Sequence, residues 1–207
     1  MNVRKQIKDI RKKEILIAAQ SAIKEFGLHR STIAHIAKKA GMSQGLVLHY
    51  FPNKASLIEE TMWYSHEEFR NDVAEELKKT RSPEEKLLAF INVWFSEKWN
   101  GKGTGVIWLS FLAEVPFNKN LSRIQDKIYS ETYDALNNAL SSIFSLEEVQ
   151  EEVDILTCLL DGLYIKCTVG NINFDRNDAL KLVYNYLNKK MSIGTDLLEE
   201  NNLLLKL

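Results

Sequence analysis

The sequence predicts an all-α protein. A basic group of three short N-terminal helices is joined by one continuous helix to a larger, acidic helical body. Three observations predict this. Apolar residues recur at three- and four-residue intervals along nearly the whole chain, and no stretch reads as a convincing strand. Capping residues precede most of these segments. Charge is divided: eleven Lys and Arg against three Asp and Glu between Met1 and Lys54 make that segment +8, which leaves −9 for the remainder of a 207-residue chain of net charge −1.

The elements follow in order. Ile15, Ala18, Ala19, Ala22, Ile23 and Phe26 share one face of a first helix, and Gly27 is a natural stop. Ser31 can cap a second helix with Ile33, Ile36, Ala37 and Ala40 inward. Gly41 interrupts, Ser43 can cap a third helix, and Pro52 ends it. Asn53 can cap a fourth, spanning about Lys54–Leu77. Two capping boxes, Ser82-Pro83-Glu84-Glu85 and Ser145-Leu146-Glu147-Glu148, open helices expected over Pro83–Trp99 and Leu146–Val169. Between them "NGKGTG" is a flexible break, with helices expected over Val106–Val115 and Asn120–Ile143. Asp175 can cap a last helix to about Lys190, and the tail has no firm pattern. Three prolines and no low-complexity linker divide the chain into a head (residues 1–53), a body (54–190) and a tail (191–207) joined without a tether.

Composition narrows the class. With 45% hydrophobic and 27% charged residues the chain reads as an ordinary globular protein. It has no run of about 18 apolar residues, so no membrane span is expected. The N-terminus is charged from its first residues and has no apolar signal stretch, so the cytoplasm is the expected location. Cys158 and Cys167, nine apart, fall on opposite faces of a helix and read as reduced, buried thiols. His29, His35, His49 and His66 show no metal-ligand spacing. There is no nucleophile elbow, and the lysine of "GKGTG" is misplaced for a phosphate loop. No enzyme activity, metal or cofactor is expected.

Helix two, the turn at Ala40-Gly41-Met42 and helix three have helix-turn-helix spacing, in which the front of the second helix enters the major groove of double-stranded DNA. That front is Ser43, Gln44, Gly45 and Leu46. Gln44 can bond an adenine edge, Ser43 can reach a base or a phosphate, Gly45 lets backbone approach DNA, and Leu46 can touch a thymine methyl. Val47 and Phe51, four apart, face the head's core, which turns His49 and Tyr50 toward the phosphate strand. Lys54, at the start of helix four, suits a phosphate, as do Arg30, Ser31 and Thr32 at the start of helix two.

In the body, Val149, Val153, Leu156, Leu160, Leu163, Tyr164 and Cys167 form one stripe. Ile155, Leu159 and Gly162 lie on an adjoining face. A helix apolar most of the way round is buried on two sides. A second stripe, with Leu182, Val183 and Tyr186, lies on the next helix, so the pair is expected to form a twofold four-helix interface of a homodimer. Val153, Leu156, Leu160, Leu163, Leu182, Val183 and Tyr186 are the assigned contacts. The body also holds all four tryptophans. Aromatic faces near carboxylates suit a small cation, and Trp63, Trp94, Trp108, Phe111, Glu114, Tyr133, Asp161 and Tyr164 are the candidate pocket residues.

The stretch from Ser31-Thr32-Ile33 through "IAKKAGMSQGLVLHYFPNKASLI" resembles the DNA-binding signature of the TetR family of bacterial transcription regulators, over about Lys12–Met62. "IWLSFLAEV" and "NLSRIQDKIYSETYDALNNAL" are similar to its BetI branch, repressors of choline-to-betaine genes, over about Leu87–Leu187. Leu112 stands where that branch is expected to have a further tryptophan. The resemblance implies a homodimeric repressor on a palindromic operator, released by a small effector. A choline-like cation is the first expectation. A multidrug-type ligand controlling an efflux gene, or a nucleoid-bound interaction protein without an effector, is the alternative.

Overall fold

The structure, a computed structural model, describes residues 3–101, 103–170 and 173–191. Among these residues there are helices and no strand. The helices are α1 (Val3–Arg30), α2 (Ile33–Ala40), α3 (Gln44–Tyr50), α4 (Lys54–Leu77), α5 (Pro83–Trp94), α6 (Glu97–Asn100), α7 (Thr104–Leu112), α8 (Lys119–Leu140), α9 (Val149–Val169) and α10 (Arg176–Met191), with a 3-10 turn at Val115–Phe117. The tail beyond Met191 lies outside the described residues.

Local chemistry sets these bounds. Gly27 leaves helical geometry at φ 76°, ψ 164° and breaks α1. Thr32, not Ser31, caps α2: its Oγ1 accepts from the His35 N–H at 3.1 Å. Gly41 takes the left-handed conformation (φ 64°) that ends α2, and the Met42 N–H reaches the Ala37 carbonyl at 2.9 Å. Ser43 caps α3 through Leu46 N–H, and Asn53 caps α4 by accepting from Ser56 N–H at 2.8 Å. The helix expected to run to Trp99 stops at Trp94, because Phe95 and Ser96 leave helical geometry and Ser96 starts the short α6. At the second capping box Glu148 accepts both the N–H and the hydroxyl of Ser145, and α9 starts only at Val149.

The chain folds as two compact units that interleave in sequence: the described residues of Met1–Asn71 with Gly103–Tyr129, and those of Asp72–Lys102 with Ser130–Leu207. These divisions do not fall at Asn53, because α7 and the start of α8 fold with the N-terminal helices. The first unit has two apolar cores. Ile15, Ala19, Ala22, Ile36, Val47, Phe51 and Leu57 form the head's core. Ile23, Leu28, Ile58, Met62, Phe111, Leu121, Ile124 and Ile128 form the second, with Ile107, Trp108, Leu112 and Val115 packed against it. In the second unit α5, α9 and α10 bury Leu87, Ile91, Val153, Leu156, Leu160, Val183 and Leu187. Polar clasps join them: the Tyr184 hydroxyl donates to Asn92 Oδ1 at 2.5 Å, and buried Glu152 accepts from Lys190 and from the Tyr186 hydroxyl.

Two substitutions test this account. Thr32→Ala should lower unfolding stability by about 1 kcal/mol while Thr32→Ser retains it. Phe51→Ala should cost about 3–5 kcal/mol. Urea titration followed by circular dichroism measures both.

Candidate functional site

The head presents α3 outward from two anchors. Val47 and Phe51 are buried, and Gln44, Gly45, Leu46 and His49 are exposed, as is the capping Ser43. Leu48, which the sequence reading left without a role, is 42% exposed. It lies one turn after Gln44, so the two share the outward face. The Ser43 oxygen is occupied by its cap, and its O–H remains to donate. Tyr50 departs from expectation. It is half-buried against the head's core, with the His49 ring edge-on at 5.4 Å. Of the two, His49 is the one that points out.

The flanking residues divide as well. Ser31 is 0% exposed and its hydroxyl donates to the Gly27 carbonyl at 2.7 Å, so it closes the broken end of α1 and is not available to a phosphate. Thr32 and Arg30 are exposed, with Arg30 Nε donating to the Phe26 carbonyl at 3.1 Å. The Lys54 ammonium donates to the His29 carbonyl at 2.8 Å, and desolvation lowers its pKa against the attraction of Glu114. His29 Nε2 in turn lies 2.5 Å from Glu114 Oε1. The end of α1, the start of α4 and the turn after α7 are thus tied at one point.

The candidate pocket residues fall into two groups. In the first unit the Trp108 and Phe111 rings lie 5.1 Å apart and Phe111 is fully buried, while Trp63 is exposed beside His66. Glu114 does not join these rings. It lines an open cleft of about 280 Å³ with Phe26–Arg30, Ser110 and Ala113. In the second unit Trp94 and Tyr164 meet edge-to-face at 6.2 Å, with Phe90 5.7 Å from Trp94. Tyr133 and Asp161 are half-buried, Asp161 one turn before Tyr164 on α9. Burial raises the Tyr164 phenol well above its ordinary pKa, and it donates to the Trp99 carbonyl at 2.8 Å. Asn100 reaches the Tyr164 carbonyl and the Thr168 hydroxyl at 3.5 Å. Sequence reading missed Asn100, because it sits in a stretch that reads as a loop.

Most of the assigned dimer contacts face inward. Val153, Leu156, Leu160, Leu163 and Val183 are buried within the single chain, so their stripe belongs to its own core, and the Tyr186 hydroxyl is engaged by Glu152. Leu182 is exposed (45%). The outward line on α9 is Cys158, Gly162, Ile165 (46% exposed) and Val169 (72% exposed). Cys158 is accordingly exposed rather than buried, whereas burial pushes the Cys167 thiol up to about 11.

Among the described residues no group of three metal-ligating side chains comes together, and no helix is long and apolar enough to cross a membrane.

Residues 15–61 match the family described as bacterial regulatory proteins, tetR family. Residues 83–191 match the BetI-type transcriptional repressor C-terminal domain. A relative in Yersinia pestis (strain Pestoides F), the HTH-type transcriptional regulator BetI, is 28% identical over 186 residues, covering 89% of this chain and 94% of the relative. Its counterpart in Serratia proteamaculans (strain 568) is 29% identical over 180 residues, 86% and 91% of the two chains. Among solved structures, a transcriptional regulator from Saccharomonospora viridis in complex with choline superposes with a TM-score of 0.79 at 19% identity, over 86% of this chain and 95% of that one. A regulator from Pseudomonas aeruginosa PAO1 does so with a TM-score of 0.76 at 20% identity, over 89% and 91%.

Gly45 separates folding from recognition. A Cβ added there meets nothing within 4 Å among the described residues. Gly45→Ala should therefore raise stability by about 0.5–1 kcal/mol, because alanine is the better helix former. On the expectation that the front of α3 enters the major groove, the added methyl should weaken DNA binding. Thermal unfolding and fluorescence anisotropy on one DNA duplex report the two effects separately.

Proposed function

The chain belongs to the tetR family of bacterial regulatory proteins, with a BetI-type C-terminal domain, and from that premise we propose that it is a homodimeric repressor released from a palindromic operator by a small choline-like cation. It is a transcriptional regulator and not an enzyme, as its relatives are. The observation that carries the reading is the exposed row Gln44, Gly45, Leu46, Leu48 and His49 on a helix fixed by Val47 and Phe51. Such a row is left exposed among the described residues and has the shape of a major-groove reader. Gln44 reads a base edge, Leu46 and Leu48 meet thymine methyls, and His49, Thr32, Arg30 and Lys54 hold phosphates. The protein works where bacterial DNA is, in the cytoplasm.

The effector sits against Trp108, a half-buried ring backed by the buried Phe111 ring 5.1 Å away, which offers a face to a quaternary ammonium. The choline complex of the Saccharomonospora viridis regulator supports that class of ligand. Moving α7 changes the second core, which holds Ile58 and Met62 of α4, and the Glu114–His29 pair carries the same shift to Lys54. The recognition helix then loses its alignment. A tenfold release of DNA needs about 1.4 kcal/mol of differential effector affinity between the two states. Dimerisation uses the outward faces of α9 and α10, with Gly162 and Cys158 allowing close approach and Ile165, Val169 and Leu182 supplying apolar area.

Selection from a random DNA pool should yield a palindrome whose half-sites lie about 34–36 Å apart. Recovery of no enriched sequence would overturn the reading. Gln44→Ala should relax one base position per half-site, and Lys54→Ala should weaken all sequences alike and reduce the salt slope by about one ion. Ile165→Glu should leave the chain folded and monomeric by light scattering; a dimer unchanged by it places the interface elsewhere.

A further inference from the structure

Gln125 is an exception to the rule that buried polar groups are paired. It lies on α8, is 5% exposed, and neither Nε2 nor Oε1 finds a hydrogen-bond partner among the described residues. Its neighbours one turn away on the same helix are Leu121 and Ile128, and Ile124 precedes it. All three belong to the core built around Phe111, against which Trp108 packs. An amide left unpaired there is destabilising. Leucine at that position would avoid the cost.

We propose that Gln125 reads the polar end of the effector, and that this end is a hydroxyl. The inference rests on the quaternary-ammonium reading above, because it takes the Trp108 and Phe111 rings as the seat of the cationic end. The chemistry of the amide selects the other end. Oε1 accepts and Nε2 donates, and a hydroxyl both donates and accepts, so one group satisfies both atoms. A carboxylate only accepts. It pairs with Nε2 but sets a second acceptor against Oε1. An alkyl end pairs with neither atom. The site therefore discriminates between ligands that share a trimethylammonium head: an alcohol is held, and the corresponding carboxylate or alkane is rejected. Gln125 is a specificity residue of the effector site, and Trp108 and Phe111 supply its affinity for charge.

Calorimetric titration of the full-length protein with choline, propyltrimethylammonium and glycine betaine tests this. The wild type should bind choline at least about tenfold more tightly than either of the others, the cost of leaving a buried amide unpaired. Gln125→Leu should unfold at a higher temperature without ligand and should bind choline and propyltrimethylammonium alike. A wild type that does not distinguish these two, or a Gln125→Leu variant that keeps the wild-type ratio, overturns the role of Gln125 and leaves the quaternary-ammonium reading standing. A wild type that binds none of the three overturns that reading and this inference together. Should Gln125→Leu fail to fold, Gln125→Met, which keeps the side-chain length and removes both polar atoms, takes its place in the same titrations with the same expected and overturning results.

Discussion

Two helices of the first unit are each shared between two cores, and the placement of everything else in that unit depends on it. Adjacent residues divide the work. Ala22 packs in the head's core and Ile23 in the second; Leu57 packs in the first and Ile58 in the second. Burying Ile23, Leu57 and Ile58 contributes about 1.5–3 kcal/mol each. Neither core can shift far without pulling the same backbone out of the other. The reading head is therefore not a bead on a string. It is packed on α7 and the start of α8 through α1 and α4, and this explains why the compact unit gathers residues separated in sequence by Asp72–Lys102.

The sequence made the scaffold legible because its signals are local. Helical spacing and caps at Ser43, Asn53, Ser82 and Asp175 placed the helices to within a few residues, and α4 runs over the expected Lys54–Leu77. The outward turn of α3 followed from Val47 and Phe51 alone. What failed depends on which of two apolar faces meets the chain's own core. On α9 both faces are apolar, and periodicity cannot rank them. The larger side chains, Leu156 and Leu160, went inward, and the smaller ones, Cys158 and Gly162, were left outside.

Polar side chains with two possible tasks were the other source of error. Ser31, Thr32 and Ser43 all suit a helix start or a phosphate. Their division was decided by the Gly27 kink, which turns the Ser31 hydroxyl back on the last turn of α1 and leaves Thr32 to cap α2. Gln125 gave no signal in the sequence at all. An amide among isoleucines looks like an exposed position, and only its burial shows otherwise. Glu114 read as a partner for a ligand cation, and its carboxylate instead meets His29 Nε2 within the protein.

The grip of Lys54 on the His29 carbonyl has a thermodynamic consequence. A free lysine side chain samples many rotamers, and fixing it costs about 1.5–2 kcal/mol of entropy. Here one donor of the ammonium is already engaged and the group is partly desolvated, with two donors still to spare. That rotamer freedom is lost when the chain folds. An anion arriving at the start of α4 meets a cation that is already oriented, so the entropy term in its capture is small and the loss of Lys54 should weaken binding chiefly by speeding dissociation.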